Sequence, residues 1–477
     1  MLIQFLGAAR TVTGSKHHIT TAAGKQILLD CGLVQDKGSH NDKYNRHLGL
    51  DPHTLDAVIL SHAHIDHSGN LPNLVKQGFR GPIYCTQASI EICAILLEDS
   101  AKIQAGDVEY INKKRERDGR DLIKPIYDSE DVRQCLKQMV AVQFNEDFPV
   151  CDEVTLHFTD AGHILGSAVV NLLVQEGSYT TRLCFTGDVG RQEDLLLNAP
   201  EPFPQADYII CESTYGNRLH PSFVDAEKEL LRIVVETCVI RRARLLIPSF
   251  SLGRTQEIVY TLDRLRHFGK LPSIPVYVDS PLSVNATDIM RRHKKSFNKE
   301  VQKYLQNDED PFGFNTLHYI SKSEDSKKLN RKNDPCIIIS SSGMLEAGRI
   351  KHHIKHSIGD PASTLLIVGY TPPGSLGRRL LNGDKTVRIF GEAHAVKFKI
   401  EELDTFSAHA DYQELLAFLS CQKKEEVKTI FLVHGDDEAL EQFKVTLLDR
   451  GYKHVDIPEP GQIVCIGAPV TIPSKDA

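Results

Sequence analysis

The chain has 477 residues, 41% hydrophobic and 25% charged, with a formal net charge of -7; that is too long for one ordinary core, so two or three domains of a soluble protein are expected. The acidic balance argues against attraction of nucleic acid over the whole surface but leaves room for a local basic track, and no apolar stretch approaches the roughly 18 residues of a membrane span, so no membrane partner is expected. MLIQFLGAAR lacks the charged start and long apolar run of a secretory signal, and the 11 scattered cysteines form no CxxC pair, which argues for a reduced, cytoplasmic compartment without disulfides or a thiolate zinc site.

In chain order, the first elements read as short strands running into turns. QILLDCG (26–32), DAVILSH (56–62), TLHFTDAGH (155–163) and RLCFTGD (182–188) each pass from apolar to polar or glycine-containing residues. Strand ends let side chains converge on a cleft, and these supply Asp30, the cluster His62, His64, Asp66 and His67, then His163 and Asp188. From about 216 to 387 strands alternate with helices: ARLLIPSFSLGRTQEIVYTLDRL, IPVYVDS, PCIIISSSGM and TLLIVGYTPPGSLGRRLL. That rhythm predicts a parallel sheet with crossover helices. FSAHAD (406–411) and TIFLVHGDDEAL (429–440) then read as a return to strands ending in histidine, completing the first unit around the second. The basic runs INKKRER (111–117), RRHKKSFNK (291–299) and KKLNRK (327–332) read individually as solvated helix faces or loops.

In an extended loop after a strand, HxHxDH can supply His62 and His64 to one metal and Asp66 and His67 to its neighbour. Imidazole and carboxylate without thiolate suit zinc, with iron or manganese as alternatives. Three histidines and an aspartate within six positions, with His163, Asp188 and His434 behind them, are too many to read as loop caps.

SHAHIDHSG, AGHILGSA, FTGDVGR and LVHGD resemble, in order, the metal motifs of the metallo-β-lactamase superfamily. The interval from Asp188 to His434 is far longer than a compact hydrolase of that fold needs. Together with CESTYG (211–216) and FSAHADY (406–412), it resembles the β-CASP nucleases, among them the RNA-cutting subunit of the eukaryotic mRNA cleavage and polyadenylation complex and its prokaryotic relatives. The implied fold is α/β: a four-layer αββα sandwich from residues 1–215 and 388–477, with a β-CASP domain of mainly parallel sheet inserted at 216–387. The resemblance implies that His62, His64 and His163 bind one Zn2+, that Asp66, His67 and His434 bind a second, and that Asp188 bridges them. Asp30 would orient a ligand histidine. Glu212 and His409 match the subgroup's acidic and histidine motifs, and His434 its third. RNA-processing members carry histidine at that third place and the DNA-repair branch valine, which favours RNA.

A phosphodiester is anionic with a poor leaving group, so its hydrolysis needs a nucleophile, charge neutralisation and a proton donor. Two metals roughly 3.5–4 Å apart can hold a bridging hydroxide. His409 would protonate the departing ribose oxygen, with Glu212 fixing that imidazole and Asp66 counted among the catalytic residues. The expected activity is zinc-dependent hydrolysis of single-stranded RNA in processing or decay, by internal cuts or from the 5′ end. A DNA nuclease, a small-molecule hydrolase on the same fold and a catalytically silent RNA-binding subunit are the competing readings. Substrate contacts are expected in PSFSLGRTQE (248–257), SSSGMLEAGR (340–349) and GYTPPGSLGRR (369–379), through Ser251, Arg254, Ser341, Ser342, Gly374, Ser375, Arg378 and Arg379. In the subgroup these loops would face RNA in the cleft between the two domains. Lys351, His352 and His353 read as solvated helix residues. The chain is expected to be a minimal two-domain form, and a homodimer or a processing complex is compatible with it.

Overall fold

The structure, a computed structural model, describes residues 1–35, 40–220, 223–369, 371, 374–403 and 407–467. Tyr370, Pro372, Pro373 and Phe406, which belong to segments singled out above, lie outside the described residues. The chain divides into two compact units, one of residues 1–194, 198–219 and 409–477, the other of residues 195–197 and 220–408.

The first unit is built on two seven-stranded mixed sheets. One runs in the order Ile463–Cys465, Leu2–Gly7, Lys16–Thr20, Gln26–Leu29, Ala57–Ile59, Ile83–Cys85 and Met139–Ala141. The other runs Val455–Asp456, Thr429–Val433, Tyr208–Glu212, Tyr179–Phe185, Ala168–Glu176, Val154–Asp160 and Asp147–Cys151. Alternation along each strand sends every second side chain to the space between the sheets. There Ile3, Phe5, Ile27, Leu29 and Ile59 pack with Leu156, Phe158, Val170, Phe185, Ile210 and Phe431. On the far side of the second sheet, Val169, Cys184, Ile209, Ile430 and Leu432 pack under the helices Tyr412–Leu419 and Asp437–Asp449. On the far side of the first, Cys85 lies by Cys93 and Cys135 of the helices Gln87–Arg117 and Ser129–Lys137. Helix, sheet, sheet, helix is the layering expected from the sequence.

The second unit holds a six-stranded sheet in the order Leu317–Tyr319, Val276–Val278, Cys336–Ser340, Arg244–Pro248, Thr364–Ile367 and Lys399–Glu402. Every pairing in it is parallel. Strands such as CIIIS are buried along their whole length because helices cover both faces, which explains their unbroken apolar runs. The one antiparallel pair, Thr386–Ile389 with Glu392–Ala395, is a separate hairpin.

Two expectations are corrected here. Residues 407–411 form a loop rather than a strand: Asp411 accepts from the backbone of Gln413 and Glu414 and so caps the helix Tyr412–Leu419, which favours a turn over a ladder. The chain also stays in the second unit beyond 388, because Lys399–Glu402 adds to that sheet beside Thr364–Ile367.

Candidate metal centre

Every residue expected at the metals lies in the first unit, at the ends of its strands or in the turns that follow them. The turn His62–Ser68 is held from beneath by the segment after the strand Gln26–Leu29, where Cys31 N donates to His67 O and Leu33 N to Ile65 O. The approach is so close that a Cβ at Gly32 would sit 1.6 Å from the Asp66 carbonyl oxygen; only glycine fits there. Asp30 and His434 both adopt positive φ, 56° and 53°, a cost that non-glycine residues bear chiefly at functional sites.

The ligand-type atoms fall into two groups. In one, His62, His64, His163 and Asp188 bring an atom each within 4.8 Å of one another; in the other, Asp66, His67 and His434 do the same. Within the first, His64 Nδ1 stands 3.2 Å from both His62 Nε2 and His163 Nε2. In the second, His67 Nε2 is 3.2 Å from His434 Nε2, and Asp66 Oδ2 is 3.5 Å from His434 Nε2. Asp188 spans them: Oδ2 lies 3.4 Å from His62 and 3.5 Å from His163, while Oδ1 lies 3.3 Å from His67 and 3.6 Å from His434.

This arrangement fits cations. Asp188 Oδ1 is buried without a hydrogen-bond partner, which a buried carboxylate does not tolerate unless a positive charge meets it. The protonation preferences agree. Burial drives His62 well below the ordinary imidazole range and lowers His64 to about 4, so both keep bare nitrogens. Burial alone would raise Asp66, but the hydrogen bond from His434 and the charges around it hold the carboxyl down at about 2. For Asp188, His434, His67 and His62 outweigh burial in the same way and keep it well below the carboxylate range. Bare imidazole nitrogens and ionised carboxylates are the states that bind metal.

Hydrogen bonds behind the ligands set which nitrogen of each ring faces inward. Asp30, fully buried, accepts from His67 Nδ1 at 2.7 Å, from Ser61 N at 2.8 Å, and from the hydroxyls of Ser61 and Ser15 at 2.9 and 3.1 Å. His67 therefore presents Nε2. Thr214 does the same for His434: its hydroxyl donates to Glu212 Oε2 at 2.6 Å and accepts from His434 Nδ1 at 3.0 Å, leaving Nε2 to face inward. The sequence reading did not single out Thr214, Ser61 or Ser15, although Thr214 stands two residues after Glu212 and Ser61 directly before His62.

Glu212 is fully buried at the end of the strand Tyr208–Glu212, and its Oε1 accepts from Val189 N at 2.6 Å and lies 3.3 Å from His409 Nδ1. The His409 side chain is 20% exposed and stacks beside His163 with ring centroids 4.5 Å apart. Burial lowers its basicity, but Glu212, then Asp188 and Asp66, raise it to about 9.

The residues expected to contact substrate lie in the second unit and are mostly engaged locally. The hydroxyls of Ser251 and Ser341 meet at Ser280, 3.3 and 3.1 Å away. Ser342 bonds the carbonyl of Ala347 within its own loop. Arg254 is buried and ion-paired with Glu257. Gly374 takes a positive φ of 75° ahead of Ser375, which caps the helix Leu376–Leu381. Arg378 Nε donates to Thr371 O, Arg379 pairs with Asp384, and Glu346 already takes the Leu376 N–H at 2.8 Å. His353, read as solvated, is fully buried against Asp279.

Family models agree in order along the chain. One described as a metallo-beta-lactamase superfamily domain matches residues 19–202, the Beta-Casp domain matches 255–380, and a Zn-dependent metallo-hydrolase RNA specificity domain matches 393–458. Ribonuclease TTHA0252 of Thermus thermophilus is 36% identical over 451 residues, covering 94% of this chain and 97% of that one. Transcription termination factor FttA of Methanosarcina mazei is 30% identical, over 95% of this chain and 69% of that protein. An RNase J-like protein of Methanocaldococcus jannaschii is 29% identical over 96% of this chain and 97% of its own. With a motif order, a fold and a buried histidine–carboxylate centre that all agree, the chain belongs to the β-CASP ribonucleases, metal-dependent hydrolases on the metallo-β-lactamase fold.

Proposed function

We propose that this protein is a two-zinc ribonuclease that hydrolyses single-stranded RNA, with His62, His64 and His163 holding one ion, Asp66, His67 and His434 the other, and Asp188 shared. The observation that carries this is the Asp188 carboxylate, whose two oxygens each face a different ligand group. When bound, the two ions supply Lewis acidity to the scissile phosphate and acidify a water towards neutral pH.

The remaining work falls to side chains of the chain itself. His409 donates the proton that the departing ribose oxygen needs. Glu212 accepts from His409 Nδ1, which fixes the ring and favours its charged, proton-donating form. The same carboxylate reaches His434 through Thr214, so the proton donor and one ligand histidine share a single buried anchor. The histidine at 434 favours RNA over DNA. All 11 cysteines are free thiols, in keeping with a reducing cytoplasm.

The test is cleavage of 5′-labelled and 3′-labelled single-stranded RNA, with matched DNA, by wild type and His409→Ala of measured zinc content. Wild type is expected to cut RNA, and His409→Ala to keep about two zincs yet cut at least ~100-fold more slowly, the low end for a general acid. No cleavage of either polymer by the fully metallated wild type sinks the nuclease reading, and equal cleavage of DNA sinks the substrate assignment.

A further inference from the structure

The basic run KKLNRK does more than solvate a helix. The helices Ser323–Arg331 and Ile350–Ser357 turn one side each towards a cavity of about 300 Å³ in the second unit. Lys327 and Arg331 line it from the first helix, His352 and His356 from the second, and Arg349 from the residue that precedes the second helix. No carboxylate lines it.

The floor of this cavity is built rather than incidental. Asp279, fully buried, accepts from Ser326 Oγ of the first helix at 2.5 Å and from Arg349 Nη1 at 2.7 Å, and lies 2.7 Å from His353 Nε2 of the second helix. His353 Nδ1 in turn meets Asn330 Oδ1 at 2.8 Å, back on the first helix. One carboxylate thus ties both helices together and offsets the charge of Arg349. Nothing offsets the rest: among the described residues, neither Lys327 nor Arg331 has an ion-pair partner. They stand at i, i+4 spacing, where like charges repel, and His352 and His356 repeat that spacing across the cavity. The positive potential shows at His352, which burial and then His353, His356, Lys355 and Lys351 push below the ordinary imidazole range.

We propose that this cavity binds a phosphate-bearing anion of nucleotide size. An ammonium, two guanidinium forks and two imidazoles give the convergent donors that a phosphate takes, and the volume stands at the lower end of ligand pockets, roughly 300–1,000 Å³. Two sources carry that chemistry, a phosphate of the RNA chain and a free nucleotide or oligophosphate.

The experiment compares the zinc-loaded wild type with the Lys327→Ala/Arg331→Ala double variant and with Lys328→Ala, whose ammonium pairs with Asp325 outside the cavity. Inorganic pyrophosphate is titrated calorimetrically into each, and the salt dependence of kcat/KM is measured on a labelled single-stranded RNA. Pyrophosphate binding at the metal centre is common to all three proteins and cancels. A free ligand predicts at least ten-fold weaker cavity binding in the double variant and none of that loss in Lys328→Ala. An RNA phosphate predicts instead that the double variant flattens the slope of log kcat/KM against log salt by about 1.4, two contacts at about 0.7 each, with kcat unchanged. Wild-type behaviour of the double variant in both arms, or an equal loss in Lys328→Ala, overturns the proposal. The pyrophosphate arm needs no RNA cleavage, so failure of the nuclease reading leaves it decisive.

Discussion

Asp30→Asn separates the carboxylate behind the metal centre from the shape of its loop. Asparagine tolerates the positive φ of this position as well as aspartate does, so the backbone stays in place. The hydrogen bonds do not. Oδ2 of Asp30 accepts from His67 Nδ1 and from the hydroxyls of Ser61 and Ser15, while Oδ1 accepts from Ser61 N. If the amide turns its oxygen to Ser61 N, its NH2 faces His67 and forces the proton onto Nε2, the nitrogen aimed at Asp188. If it turns the other way, two donors clash at Ser61 N. Either way a charge-assisted bond worth about 1.5–3 kcal/mol is lost, which matches the ~10–100-fold loss of metal affinity typical of such partners. The assay is zinc competition against a chelator at pH 7. One of the two sites is expected to weaken by about that factor while the other holds. Wild-type affinity at both sites, in a variant with unchanged melting temperature, refutes the argument that Asp30 sets the His67 tautomer.

Thr214→Val keeps the shape but removes the hydroxyl between Glu212 and His434; zinc affinity and RNA cleavage are expected to fall ~10-fold or more, with Thr214→Ser restoring both, and failure of serine to rescue would point to packing instead. Asp263, in the second unit, accepts from Tyr304 Oη at 2.7 Å; burial, over that opposing bond and helped by Asp308 and Asp310, pushes its carboxyl up to about 7. Between roughly pH 4 and 7 the folded state then holds a proton the unfolded chain has lost, so stability falls as pH rises through that window. Asp263→Asn cannot ionise, and its advantage over wild type in thermal or urea unfolding should grow from pH 4 to pH 8 towards a few kcal/mol; parallel stability curves would count against the shift.

Much of the centre was legible because its ligands arrive at strand ends in short runs. HxHxDH, AGH, TGD and VHGD each place a donor directly after an apolar stretch, and the structure brings them within reach of one another. The alternating texture from Arg244 to Ile367 likewise became a parallel sheet. What stayed hidden was set by tertiary partners. His353 looks like any histidine on a basic helix, and only Asp279, seventy-four positions earlier, shows why it is buried. Thr214 has no periodicity of its own; its role depends on Glu212 and on His434, which comes 220 positions later. Ser407–Asp411 failed as a strand because a capping aspartate outranks a short apolar alternation. The arginines nominated for phosphate share one blind spot: sequence shows their charge but not the acids and carbonyls, such as Glu257, Asp384 and the Thr371 carbonyl, that already hold them.

The pairing of Tyr208–Glu212 with Thr429–Val433 joins two strands on either side of the entire second unit. His62, His64, His163 and Asp188 are all translated before that unit begins, so a nascent chain carries one full set of ligands early. Asp66 and His67 must wait for His434. Domains form largely from the N-terminus during synthesis, and contacts this remote in sequence close late. A chain of this family that cuts RNA therefore completes its second metal group only after its own message has been read past the codon for residue 434.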